Sequence, residues 1–245
     1  MYYHDEIEAL KRIIDEAQNV VFFGGAGVST DSGIPDFRGS GGLYTTDEDI
    51  DVSPETILTA SYMCAHPKEF YQYFLSNMVY TDAEPNEAHY ALARLESEGK
   101  LSTVITQNID GLHQLAGSRN VIELHGSAKR YYCVRCGREY SLEDVLSADG
   151  VPKCHKCGSF VRPDVVMYGE NLDGSAFSRA YDAVHNADVL IVGGTSLTVQ
   201  PAASLVDEYE GEHLIIINMS ETPCDDFAEY VIHDSLSEVL SKAID

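Results

Sequence analysis

The chain has 245 residues, 44% of them apolar and 23% charged, which is the composition of an ordinary globular protein and excludes a disordered one. Against 16 Lys and Arg stand 40 Asp and Glu, a formal net charge of −24 that argues against a general phosphate-contact surface and hence against nucleic acid as a partner. The same acid suits a basic partner such as a lysine-rich peptide, or simply a well-solvated surface, and no uninterrupted apolar segment reaches bilayer-spanning length.

Ile7, Leu10, Ile13, Ile14 and Ala17 recur at helical spacing, so residues 5–18 are predicted to form an amphipathic helix packed on a sheet that begins at Val20. Val20-Val21-Phe22-Phe23 is a short apolar run of the kind buried on both faces of a parallel sheet. Gly25 and Gly27 then fall at the strand's carboxyl end, where open parallel sheets bind ligands. There the missing Cβ atoms let the backbone approach a pyrophosphate, and a following helix is expected to offer its first N–H groups to the charge. A Gly-x-Gly turn also closes strands that bind nothing, and the third glycine of the usual dinucleotide fingerprint is replaced by Thr30. A hydride-transferring dehydrogenase is therefore disfavoured.

Ile34-Pro35-Asp36-Phe37-Arg38 follows, placing a carboxylate, an aromatic ring and a guanidinium directly behind the turn. Beyond Ser40 the composition changes. Gly41-Gly42, an acidic run from Asp47 to Asp51 and the aromatic Phe70, Tyr71, Tyr73 and Phe74 read as a glycine-rich loop and then helices packed on an aromatic core, an inserted module. A helix over residues 86–98, closed by Gly99, leads into a strand over 102–106.

Gln107, Asn108 and Asp110 stand just past that strand, where they suit a cofactor amide and a water but also read as a capped turn. Val121 to Leu124 leads to His125-Gly126, and a single histidine at a strand end is either a satisfied structural group or a proton acceptor. His113 and the seven other histidines are read as structural. Cys133 and Cys136, then Cys154 and Cys157, form two Cys-x-x-Cys knuckles separated by 17 residues. Four thiolates at that spacing close a tetrahedral zinc shell with no position left for water, so the metal is structural. Cys64 and Cys224 stand alone, which speaks against a disulfide framework and for a cytoplasmic setting. Residues 161–170 are expected to return the chain to the main domain, followed by a helix near 175–185. Val189 to Val192 ends in Gly193-Gly194-Thr195-Ser196, and Leu214 to Ile217 ends in Asn218, two more strand ends suited to ribose, phosphate or adenosine. A last helix over 235–243 closes the sheet.

In this order, the run from Gly25 to Gly39, the segment from Thr106 to His113, His125-Gly126, the paired cysteines and residues 161–170 resemble the signature of the sirtuin family, the NAD-dependent protein deacylases, and most of all its bacterial and archaeal types. Tyr168 stands where the family often has Phe. The resemblance implies an α/β fold: a Rossmann-like parallel sheet with helices on both faces, formed by residues 1–39, 85–126 and 162–245. A small lobe joins the helical insertion, 40–84, to a four-cysteine zinc ribbon, 127–161, with the ligand cleft between lobe and sheet.

It also implies NAD as co-substrate, with Ala26, Gly27, Thr30 and Arg38 near phosphates and ribose, and Thr195, Ser196 and Asn218 near the adenosine. Ser235 is added by counting into the final helix. Ile34, Asp36, Ile109 and Asp110 would form the nicotinamide pocket, Phe37 would guard it, and Gln107 and Asn108 would hold the ribose and a water. The run 161–170 would pair with substrate peptide, and the four cysteines would hold one structural zinc. In the implied reaction the acyl-lysine carbonyl oxygen displaces nicotinamide, and His125 acts as general base on a ribose hydroxyl that takes up the acyl group. The products are nicotinamide, O-acetyl-ADP-ribose and free lysine. The expected partners are acetylated-lysine proteins or peptides, and the alternatives are mono-ADP-ribosyl transfer or removal of another acyl group. Since no Arg occurs between Arg38 and Arg94, acetyl-lysine is expected over succinyl-lysine. Nearby carboxylates are expected to favour the imidazolium of His125 and so to move the fall of activity with pH upward.

Overall fold

The computed structural model describes residues 3–37 and 52–244, so Arg38, Gly41-Gly42 and the acidic run from Asp47 to Asp51 lie outside the described residues. In chain order the strands are β1 (Val20–Gly24), β2 (Leu101–Thr106), β3 (Val121–Glu123), β4 (Gly126–Cys133), β5 (Glu139–Ser141), β6 (Val161–Val165), β7 (Val189–Gly193), β8 (His213–Ile217) and β9 (Tyr230–Ile232). Six of them make one sheet in the order β3-β2-β1-β7-β8-β9, every neighbouring pair parallel.

Because successive side chains on a strand point to opposite faces, the apolar runs serve two cores at once. Phe22, Ile191 and Ile215 pack on one face with α1 (His4–Glu16), and Phe23, Val192 and Ile216 pack on the other. The helices of the insertion follow α1 as α2 (Pro54–Ile57), α3 (Ala60–Ala65) and α4 (Pro67–Asn77). Then come α5 (Glu87–Ser97), α6 (Leu112–Ala116), α7 (Leu142–Leu146), α8 (Gly174–His185) and α9 (Leu236–Ala243). α5 and α9 join α1 on the first face, while α8 covers the second. Asn86 starts α5 with a capping box, its side chain accepting from Ala88 N and His89 N while His89 accepts from Asn86 N.

The second sheet is antiparallel, in the order β5-β4-β6. Its inner face packs with α4 in a third core of Phe70, Tyr71, Phe74, Tyr131, Val161 and Val165, so the aromatic stripe of the insertion is the interior of this lobe. The Tyr71 hydroxyl donates to Val161 O at 2.7 Å, which ties the insertion to β6. The expected division at 161/162 therefore falls inside β6, and Met167 still packs in the third core.

One local expectation fails. Directly after β1, among the described residues up to Phe37, no α-helix begins: residues 26–28 and 30–32 form two short 3-10 turns, the second ended by Gly33 at φ 82°. Gly27 N is taken by Gly194 O at 2.8 Å, and Pro35 cannot continue a helix, so residues 26–37 hold no α-helix. No helix of the described residues is long and apolar enough to cross a membrane.

Candidate active site

The chain runs from β1 out to β2 and β3 on one side, and β7 to β9 lie on the other, so the strand order reverses between β1 and β7. At such a switch point the loops leave in opposite directions and open a crevice at the carboxyl ends of the strands. Here the two loops touch. A Cβ on Gly27 would lie 2.8 Å from Gly194 Cα, one on Gly25 would lie 2.8 Å from Thr195 Cβ, and one on Gly194, at φ 60°, would lie 2.4 Å from Val28 N. The glycines thus serve first to let the loops after β1 and β7 cross closely and form a floor.

Above that floor lies a cleft of about 600 Å³, of the size that holds small ligands. Leu58, Asn77, Met78, Tyr80 and residues 165–170 close it from the small lobe. On the floor it is lined by Ala26, Gly27, Thr30, Ile34, Asp36 and Phe37 after β1, and by Gln107, Asn108, Ile109 and Asp110 after β2. His125, then Thr195 and Ser196 after β7, and Asn218 after β8 also line it. The structure therefore gathers these predicted residues from five separate stretches. Arg38 is outside the described residues, and Ser235 does not line the cleft. The Ser235 side chain instead caps α9, accepting from Glu238 N at 3.4 Å and donating to Asp31 Oδ2 at 3.2 Å, while its neighbours Asp234 and Leu236 face the cavity.

A buried serine organises the polar groups. Ser29, 1% exposed, donates to Asp110 Oδ2 at 2.7 Å and accepts from Asn108 Nδ2 at 3.1 Å. Asn108 Nδ2 also lies 3.0 Å from Gly25 O, and Asp110 Oδ1 accepts from Leu112 N at 2.8 Å. Gln107 Nε2 donates to Thr195 Oγ1 at 3.0 Å, which bridges the loops after β2 and β7. Sequence reasoning missed Ser29. Its only signal was its place inside the glycine turn, because its partners lie 79 and 81 residues further along.

His125 occupies the passage between β3 and β4. Its Nδ1 lies 2.8 Å from Gln107 O, and a carbonyl can only accept, so Nδ1 carries the hydrogen and neutral His125 keeps its lone pair on Nε2. Burial pushes its pKa below the usual histidine value, an effect the Gln107 carbonyl partly offsets. The expected rise from nearby carboxylates does not appear: what acts on this ring first is desolvation of the charged form.

Away from the cleft, Cys133, Cys136, Cys154 and Cys157 come together, their sulfurs all within 4.8 Å of one another. Sγ···Sγ distances of 3.4, 3.6 and 3.7 Å match the edge of roughly 3.8 Å for a tetrahedron with Zn–S bonds of about 2.3 Å. The donor set and its size both fit one closed zinc site.

The description "Sir2 family" belongs to the family whose model matches residues 25–201. A protein of Clostridium perfringens named NAD-dependent protein deacetylase is 51% identical over 98% of this chain and 99% of its own length. One of the same name from Cutibacterium acnes is 52% identical over 96% of each. Among solved structures, Sir2 with an inhibitor, 2'-O-acetyl-ADP-ribose and deacetylated p53 peptide is 39% identical, with a TM-score of 0.83 over 95% of both chains. A complex of Sir2 with p53 peptide and NAD+ is 40% identical, with a TM-score of 0.84 over 98% of this chain and 96% of the other.

Proposed function

This chain belongs to the Sir2 family, and on that premise we infer that it is an NAD-dependent protein deacetylase, its cleft shared by NAD and an acetyl-lysine peptide. The observation that carries the reading is the meeting, at the switch point, of four strand-end loops with a histidine whose Nε2 is left free to accept a proton. NAD, when bound, supplies an electrophilic ribose carbon with nicotinamide as leaving group, and ribose hydroxyls to receive the acetyl group.

The chain's own residues do the rest. Ala26, Gly27 and Thr30 would border the phosphates of NAD, and Thr195, Ser196 and Asn218 its adenosine. Ile34, Asp36, Phe37, Ile109 and Asp110 would hold the nicotinamide. Ser29 holds Asp110 and Asn108 in fixed orientation through its two hydrogen bonds, and Gln107 fixes the ring of His125 through its carbonyl. His125 Nε2 takes the ribose hydroxyl proton. Residues 165–170, on the small-lobe wall, border the peptide, for which the net charge of −24 favours a basic sequence. The unpaired state of all six cysteines suits a reducing compartment such as the cytoplasm.

Incubation with acetyl-lysine peptide and NAD, followed by mass detection, should show nicotinamide and O-acetyl-ADP-ribose in equal amounts. Adenine-end label appearing on protein would instead indicate ADP-ribosyl transfer. His125→Ala should lower deacetylation by roughly 100-fold to 10,000-fold while sparing nicotinamide exchange, which needs only the first displacement. Near-normal deacetylation by that variant would remove His125 from the mechanism. Because its pKa is depressed, wild-type activity should persist as the pH falls below 6.5.

Acyl choice follows from the lining. Among the described residues it contains no Lys or Arg, and Arg162 beside it is engaged with Glu170 at 2.6 and 2.7 Å. Succinyl-lysine would bury its carboxylate without a partner, so acetyl-lysine should be preferred by at least about tenfold in kcat/KM, about 1.4 kcal/mol. Equal kcat/KM for the two peptides would sink this.

A further inference from the structure

Tyr140 lies on β5, just past the first cysteine pair, yet its hydroxyl reaches the second pair. It lies 3.2 Å from Cys154 Sγ and 2.9 Å from the backbone nitrogen of His155. The direction of both bonds is determined. A backbone N–H only donates, so His155 uses a lone pair of the phenol oxygen, and the single phenol proton is left for the Cys154 sulfur. The ring is held in place independently, with the His155 ring edge-on at 5.7 Å and the Arg138 guanidinium 5.9 Å from the ring centroid.

The four sulfurs are otherwise unequal. Cys133 and Cys154 are buried, at 1% and 2% exposure, whereas Cys136 is exposed and Cys157 half-buried. Four thiolates around one divalent cation leave an excess of two negative charges, in a chain already at −24. Water can relieve that excess at Cys136 but not at Cys154. A phenol proton aimed at the Cys154 sulfur supplies there what water cannot, and outer-shell hydrogen bonds of this kind fix ligand orientation and set metal affinity.

Resting on the reading of the four cysteines as a zinc site, we propose that Tyr140 is a positioning residue for that metal: its hydroxyl crosses from the first knuckle to the second, orients Cys154 and stabilises its thiolate, so that this sulfur is the last to leave the zinc. Release then begins at the exposed Cys136.

Tyr140→Phe tests this, because it keeps the ring and its contacts and removes one oxygen. Zinc content of the wild-type protein, expected at one per chain, tests the zinc reading on its own. With zinc-loaded full-length protein, transfer of the metal to a chromophoric chelator should be favoured roughly 10-fold to 100-fold more by Tyr140→Phe than by the wild type. In cobalt-substituted protein the sulfur-to-cobalt charge-transfer band should shift in the variant, which loosened packing alone would not cause. Arg138→Met, which leaves the hydroxyl in place, should match the wild type in both measurements. If the wild type holds zinc and Tyr140→Phe matches it in release and spectrum, or if Arg138→Met releases zinc as readily as Tyr140→Phe, the proposal is overturned.

Discussion

The floor of the cleft and the zinc ribbon are both made of loops at strand ends, but they are held by different means. The floor loops leave β1, β2, β7 and β8, four adjacent strands buried on both faces and bonded to one another along their lengths. Their order is inherited from the core. The ribbon has three strands, one of them only three residues long, and its loops end on four cysteines. A closed four-cysteine zinc site would set their order. A site that must hold several polar groups in register is thus built on the region with the redundant support, and the small lobe adds a wall from its helical insertion and from residues 165–170, with no residue of the ribbon loops in the lining.

Removing one thiolate should break this contrast most visibly. Cys133→Ala leaves three ligands, and structural zinc in small peptides is bound with about 10 kcal/mol or more of folding free energy. The third core of Phe70, Tyr131 and Val161 shares the load here, so the expected result is loss of zinc, a lowered melting temperature and loss of deacetylation, with hydrogen-exchange protection of β1, β7 and β8 retained. Unchanged melting and turnover in a metal-free variant would show that the ribbon orders itself without the ion.

Acid should attack the main domain from the opposite side. His89 on α5 and His113 on α6 are buried at 0% and 1% exposure, with ring centroids 4.7 Å apart. Burial lowers the pKa of His89 to about 4, against a smaller raising effect of Asp110. For His113 burial and then the neighbouring His89 bring it down to about 3. Both folded-state values lie below the unfolded value near 6.5, so below that pH the unfolded chain takes up the protons first. The stability is whole above pH 6.5 and is lost as pH falls toward 4. Each tenfold weakening of proton binding in the folded state corresponds to about 1.4 kcal/mol, which makes about 3 kcal/mol for His89 alone. Denaturant unfolding at a series of pH values checks this. His113→Phe, which keeps a buried aromatic ring and removes one of the two sites, should make the profile shallower, and an equally steep profile in that variant would exclude His113 as a contributor.

Much of this was legible in the sequence where a residue's own type decides its place. Phe22 and Phe23 read as a strand buried twice because an apolar run leaves no polar face, and four cysteines at knuckle spacing read as one metal site. What was illegible depended on partners distant in the chain. Val161 to Val165 alternates buried and partly buried residues, which announces a strand but not which sheet takes it; pairing with β4 decided that. Ser29 gained its role only from Asn108 and Asp110, and Ser235 was assigned by counting although a serine at that point caps the helix. For His125, acidic residues in the sequence suggested a raised pKa, but only the fold shows the burial of its ring.

The smallest effect is expected where the two regions meet, and it measures how far they are coupled. β3 of the main sheet passes through His125 into β4 of the ribbon sheet, and the His125 carbonyl accepts from Val166 N at 3.0 Å. Beside this crossing Arg130 on β4 holds Glu123 on β3 at 2.7 Å and Asp164 on β6 at 3.0 Å. Glu123 has a side chain only 11% exposed, but the Arg130 side chain is 54% exposed, and Gln114 Nε2 also bonds Glu123 at 2.9 Å. A pair so open to water contributes about 0 to 1 kcal/mol, and the remaining amide limits the cost of an unpaired carboxylate. Arg130→Met should therefore cost no more than about 1 kcal/mol of stability, with the deficit shrinking at high salt as screening weakens the wild-type pair too. Unfolding curves of both proteins at low and high salt give the answer. A loss of several kcal/mol that salt leaves unchanged would mean that the ribbon is fastened to the sheet through this guanidinium, and that the histidine between them owes its place to the ion pair more than to the backbone bonds on either side.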